Sequence, residues 1–310
     1  MTQSTVIVPA TTANIGPGFD CLGAALTLYN QVQFILCPEA EASELYLTVQ
    51  GREAERVSTA KDNLLYQAWS KVFQVIGKAT PAVSISIQLN VPLARGLGSS
   101  ATAIVGGLFG ANQLAGNPLD KPTILELAIE LEGHPDNVVP ALLGGCQLCA
   151  GSSNNRQICP VPWHSTICPI VAIPNFELST AEARAVLPQQ VDYGDALFNL
   201  AHMGLLLRAL ETGQQDWLKA AMSDRLHQPY RRALIKGYDL VEAAALQAGA
   251  IGMVISGAGP SLLALATASK AKEVALAMEI AWQSIEVQAD AKILSLDMLG
   301  ARCVEDSIDS

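Results

Sequence analysis

Between residues 83 and 91 apolar and polar side chains alternate without a gap. Val83, Ile85, Ile87, Leu89 and Val91 fall on one face, and Ser84, Ser86, Gln88 and Asn90 on the other. A period of two predicts a strand with one buried face. Residues 101–111 are instead small and apolar on every side, which predicts a buried helix. Between the two patterns lies Pro92-Leu93-Ala94-Arg95-Gly96-Leu97-Gly98-Ser99-Ser100-Ala101-Thr102. Strand, glycine turn, hydroxyl pair and helix start in that order leave free backbone N–H groups and a positive helix end around one small volume. Such a volume suits an anion, a nucleotide's phosphates above all.

The same reading predicts short strands at 6–8, 32–36 and 45–49, and a helix over 62–75 capped by Asp62. Residues 9–23, with turn formers at Asn14, Gly16, Pro17 and Gly18, read as a shaped loop able to hold a polar ligand. A helix over 123–132, capped by Thr123 with Glu126 as the capping-box acid, ends at Gly133 and leaves His134, Asp136 and Asn137 on a loop. Cys146 to Cys149 reads as a buried strand. The polar run 151–155 marks a boundary between two domains, 1–155 and 156–310.

Beyond it come a strand at 167–173 and a helix capped by Ser179 or Thr180, with Arg184 in its first turn. Apolar helices follow at 196–210 and 217–222, then the basic stretch 223–232. A strand at 250–255, a glycine-rich loop at 256–261 and a strand at 262–266 precede a helix over 271–281. A last strand is expected at 285–287, with a frayed acidic tail from Cys303. The whole reads as a two-domain α/β protein.

Composition narrows the partners. The chain has 310 residues, 50% of them hydrophobic and 15% charged, enough to bury a large core. A formal charge of −10 argues against nucleic acid or an anionic membrane as the main partner. Seven cysteines, no basic and apolar leader, and no apolar run of membrane-spanning length point to a reducing cytoplasm. The Cys146–Cys149 pair has no second pair to complete a zinc site.

The glycine turn is not a P-loop, since no Lys-Ser/Thr follows the second glycine, and Ala101 replaces the third glycine of the dinucleotide fingerprint. Ser99 and Ser100 can cap the helix, and one of them can also reach a magnesium ion held by phosphate oxygens.

From Pro92 to Ala101 the chain resembles the second motif of the GHMP kinases. Residues 9–23 are similar to the first motif of the branch of that family that phosphorylates L-homoserine, and 256–261 to the family's third motif. The resemblance implies a ribosomal-S5-like ATP domain followed by a ferredoxin-like domain. It implies transfer of a phosphoryl group from ATP, with Mg2+, to the hydroxyl of L-homoserine, a step toward threonine, and it allows a homodimer. Residues 92–102 would hold ATP, with Ser100 and Glu126 on the metal. Glu126 is selected because the family's metal-binding Glu lies eleven residues before the position matched by Asn137, while Glu130 or Glu132 would suit another register. Asn14, Asp20, His134, Asn137, Thr180, Arg184, Arg231 and Gly259 would face the acceptor. Asn137 stands where relatives carry a carboxylate base, and an amide cannot take a proton from a hydroxyl. A kinase for another small alcohol would share 96–101 and 256–261 without needing Asn14, Asp20, Arg184 and Arg231. A non-catalytic binding protein would be expected to lose Ser100 or Glu126.

Overall fold

The computed structural model describes residues 2–152 and 155–304. In chain order its strands are β1 (Gln3–Asn14), β2 (Gly18–Leu36), β3 (Leu45–Gln50), β4 (Val83–Gln88), β5 (Cys146–Ala150), β6 (Gln157–Val161), β7 (Cys168–Pro174), β8 (Gly252–Ile255), β9 (Leu262–Ala266), β10 (Ala289–Ile293) and β11 (Arg302–Val304). Its helices are α1 (Leu64–Val75), α2 (Ser99–Leu114), α3 (Lys121–Glu132), α4 (Pro135–Leu143), α5 (Thr180–Ala185), α6 (Tyr193–Thr212), α7 (Gln215–Ala221), α8 (Gln228–Arg231), α9 (Tyr238–Gln247) and α10 (Ala271–Gln283).

The first sheet runs β11-β1-β2-β4-β3, with β5 on β2 and β6 on β5. Its pairings are antiparallel except β3 with β4. The apolar face of β4 (Val83, Ile85, Ile87) joins Val32, Phe34, Trp69, Val72, Ile104 and Leu108 in one core. α2 is apolar all round because it packs against α1, α3, α4 and the sheet. Gly107 permits that approach, since a Cβ there would stand 2.2 Å from the Leu65 carbonyl oxygen.

The second sheet runs β10-β7-β9-β8. A core of Ile170, Val241, Val274, Met278 and Trp282 packs α9 and α10 against it. A further core mixes residues of both sheets, including Ala10, Leu22 and Leu26 with Leu206, Leu210, Val254, Leu263 and Leu265. Among the described residues no helix is long and apolar enough to cross a membrane.

Several expectations change. Residues 9–23 are not an open loop: β1 and β2 run through them and meet at a turn of three residues, 15–17. Asn63, not Asp62, caps α1 by accepting from the N–H groups of Leu65 and Tyr66. Asp120 caps α3, which therefore starts before Thr123 and removes the capping-box role from Glu126. Pro135 opens α4, placing Asp136 and Asn137 in a helical first turn rather than on a loop. Ser179 caps α5 in a capping box with Glu182, and Arg184 lies in its last turn, where the dipole favours a cation. Residues 285–286 end a turn after α10, Val287 is irregular, and the strand starts at Ala289.

Of the polar run at 151–155, Ser153 and Asn154 lie outside the described residues, and β6 continues the first sheet beyond it. Cys303 belongs to β11, paired with β1, while the rest of the expected tail, 305–310, lies outside the described residues.

Candidate active site

Three stretches far apart in sequence close on one another. Gly96 and Gly98 both adopt positive φ, 71° and 66°. Neither tolerates a side chain: a Cβ on Gly96 would lie 2.2 Å from the Ser256 carbonyl oxygen, and one on Gly98 2.0 Å from Thr11 Oγ1. The Ser256 hydroxyl lies 2.7 Å from the Gly96 carbonyl. The Gly257 N–H donates to the Ala13 carbonyl, and Asn14 Nδ2 donates to the Gly257 carbonyl at 2.7 Å. The first, second and third motifs of the sequence thus share one wall.

They border a cleft of about 520 Å³. Asn14, Asp20, Leu93, Ala94, Arg95, Gly96, Gly98, Ser99, Ser100, Thr102, His134, Asn137, Thr180, Arg184, Arg231 and Gly259 line it. Leu97 and Ala101 are buried in the core beneath it, and Pro92 borders a separate groove. Gly98 is the N-cap of α2 and no side chain caps it, so the first-turn amides of a sixteen-residue helix face the cleft uncapped.

The expected carboxylate is displaced. Glu126 is exposed and pairs with Arg156 at 2.8 Å, and Glu130 pairs with Lys71. Glu132 lines the cleft and accepts from the Ser100 hydroxyl at 2.7 Å. Burial pushes the Glu132 carboxyl above its ordinary range, against the pull of the Ser100 bond and of His134. α3 turns its 126 and 130 positions outward, so Glu132, and not the expected Glu126, stands beside Ser100.

Arg95, in the middle of the glycine turn, is buried. Its guanidinium donates to the carbonyls of Pro174, Leu93 and Asn175 and faces Glu53 and Glu177. It ties the phosphate turn to the end of β7 and offers little to a ligand.

Charges of both signs meet around Asp20. Arg184 grips both Asp20 oxygens, at 2.8 and 3.0 Å. Arg231 is buried and donates from Nε to the Ala183 carbonyl and from Nη1 to the Gly257 carbonyl. The Asn14 side-chain Oδ1 accepts the Asp20 N–H. Asn137 Oδ1 accepts the Thr11 hydroxyl at 2.7 Å. Asp136, buried in the cleft wall, bonds His134 Nδ1 at 2.9 Å and so raises the His134 pKa, burial opposing. Sequence reasoning gave no role to Thr11, Phe19 or Asp136, nor to Val57, Leu65 and Ile87, which add an apolar wall to the cleft beside Asn63.

Residues 63–145 match the GHMP kinases N terminal domain, and residues 206–284 match the GHMP kinases C terminal region. The chain belongs to the GHMP kinase family. As a GHMP kinase it is an ATP-using phosphotransferase with the two-domain fold of that family. It is 62% identical over 301 residues to the homoserine kinase of Crocosphaera subtropica (strain ATCC 51142 / BH68), covering 97% of both chains. It is also 62% identical over 297 residues to the homoserine kinase of Microchaete diplosiphon, covering 96% of both. The crystal structure of homoserine kinase from Cytophaga hutchinsonii ATCC 33406 superposes with a TM-score of 0.90 at 29% identity, covering 98% of both chains.

Proposed function

We propose that this GHMP kinase transfers the γ-phosphoryl group of ATP to the hydroxyl of L-homoserine, giving O-phospho-L-homoserine and ADP. The observation that carries the substrate is the charge constellation at Asp20, Arg184 and Arg231, which lines the same cleft as the uncapped start of α2. Homoserine brings one ammonium, one carboxylate and one reacting hydroxyl. Asp20 can meet the ammonium, and the arginines can fork the carboxylate. Asn14 and Thr180 complete the acceptor's surroundings, and the Gly259 backbone closes the wall.

On the donor side, the first-turn amides of α2 receive phosphate oxygens, and the apolar wall with Asn63 receives the base. Ser100 and Glu132 would hold Mg2+. Their donor atoms fit: two hard oxygens 2.7 Å apart on the wall of the cleft. Such a sparse set suits an ion bound mainly through substrate phosphates. When bound, it supplies neutralisation of the charge that builds on the phosphoryl oxygens.

Asn137 acts by position. Its amide cannot accept the acceptor's proton, and its oxygen is already engaged by Thr11. We name no general base: the residues contribute orientation of the hydroxyl and a fixed field for the phosphates. A cytoplasmic, nucleic-acid-independent enzyme, active alone or as a homodimer, is part of the same reading, with the two halves of the chain serving ATP and acceptor. An ADP-release assay with L-homoserine, 3-aminopropan-1-ol and a panel of other small alcohols tests it. Turnover of homoserine should exceed the others by orders of magnitude, and equal turnover of an alcohol without the carboxylate would overturn the assignment.

A further inference from the structure

Arg184 and Arg231 carry like charges into one cleft. Among the described residues Arg184 donates to Asp20 alone, and it leaves a short helix of six residues. Arg231 spends Nε and Nη1 on carbonyls. Both lie against the same ring: the guanidinium carbon of Arg231 is 5.0 Å and that of Arg184 5.8 Å from the centroid of Phe19. An aromatic face attracts cations and lowers the cost of bringing two of them together.

Phe19 is itself braced. The His227 imidazole stacks on it at 5.0 Å, with the two planes 20° apart. His227 is fully buried, and its Nε2 lies 2.8 Å from the Gly16 carbonyl, a contact that requires the proton on Nε2. Its Nδ1 has no partner among the described residues, so the ring serves as a neutral plate. Burial pushes its pKa down, Asp224 opposing. Asp224 in turn accepts the N–H groups of Leu226, His227 and Gln228 and fixes the segment that delivers both the plate and Arg231.

We infer that Phe19, backed by His227, is a positioning residue that sets Arg184 and Arg231 as a fork for the acceptor's carboxylate. The inference rests on the reading of the acceptor as a hydroxy amino acid. It assigns selectivity for the carboxylate to a side chain that itself carries no charge.

The test is steady-state kinetics with homoserine and ATP varied separately, for the wild type, Phe19→Leu, Phe19→Tyr and His227→Gln, with 3-aminopropan-1-ol as the acceptor lacking a carboxylate. Phe19→Leu should raise the homoserine KM by about tenfold or more, a change of about 1.4 kcal/mol. The ATP KM should stay within about twofold and kcat/KM for aminopropanol should not change, as expected for loss of a ground-state contact to one substrate. Phe19→Tyr, which keeps the ring, should restore most of the homoserine KM. His227→Gln keeps a donor for Gly16 but removes the plate, and should shift the homoserine KM in the same direction by a smaller factor. It reads the same quantity if Phe19→Leu does not fold. An unchanged homoserine KM in Phe19→Leu, or in His227→Gln where that is the variant read, would overturn the inference, as would parallel rises for both substrates. Wild-type enzyme that does not distinguish homoserine from aminopropanol would instead overturn the substrate reading.

Discussion

The Ser100 hydroxyl donates to the Glu132 carboxylate across 2.7 Å, joining the first turn of α2 to the last residue of α3. If these two oxygens serve the metal, Glu132→Gln should lower kcat by about a hundredfold or more and raise the Mg2+ concentration needed for half-activity, with the homoserine KM little changed. Glu126→Gln breaks only an exposed pair with Arg156 and should cost under about 1 kcal/mol of stability and almost no activity. Magnesium titrations of the two variants side by side decide between them, and a crippled Glu126→Gln would restore the other register.

Asp20 and Arg184 neutralise each other before any acceptor arrives. Arg184→Leu should raise the homoserine KM strongly and leave that for ATP alone. The double variant Asp20→Asn/Arg184→Leu should be less impaired than the sum of its single changes, with a coupling of about 1–2 kcal/mol for a half-exposed pair. A double-mutant cycle on kcat/KM for homoserine measures it. Strict additivity would show that the two side chains work independently.

Arg95→Ala removes a buried guanidinium that bonds three carbonyls and faces two glutamates. The expected loss is about 3 kcal/mol, as for other buried charges stripped of their partners, rather than the 1 kcal/mol or less of an exposed ion pair. Urea unfolding reports it directly. Nucleotide affinity measured on the folded fraction should change far less than the unfolding midpoint.

His134 offers a test by pH. Its pKa is raised above 6.5 by the bond to Asp136, with burial opposing. A raised folded value means the pair stabilises fully below about 6.5 and loses that contribution as pH rises through the folded pKa. Melting temperatures of the wild type and His134→Asn should therefore differ most near pH 6 and converge toward pH 8.5, both roughly placed from the linkage rule. A gap that widens with pH would contradict the assignment.

The local signals were legible wherever one surface decides the outcome. The strict alternation at 83–91 placed β4, and the glycine pair with Ser99 and Ser100 placed the start of α2. Glu132 was legible as one of three candidates, and the helical stripe favours it. Leu125, Ala128 and Ile129 are buried on α3, and Glu132 continues their i, i+3, i+4, i+7 stripe, whereas Glu126 and Glu130 sit on the opposite, exposed face. Arg95 could not be read in this way. Its burial depends on carbonyls of Pro174 and Asn175, about 80 residues away, which no local pattern announces. Phe19 escaped for the opposite reason: an aromatic residue in a turn-rich stretch looks like packing until two distant arginines are seen resting on it.

The pairing of β11 with β1 decides how the two halves of the chain are joined. Ala301 enters the first core and donates to the Ala141 carbonyl, and Arg302–Val304 zip onto Thr5–Ile7. That edge of β1 is closed from a sequence separation of 299 residues, although every other strand of its sheet lies within residues 3–161. The first sheet is therefore edged by chain that has already passed through the second, and the two halves are laced together rather than strung end to end.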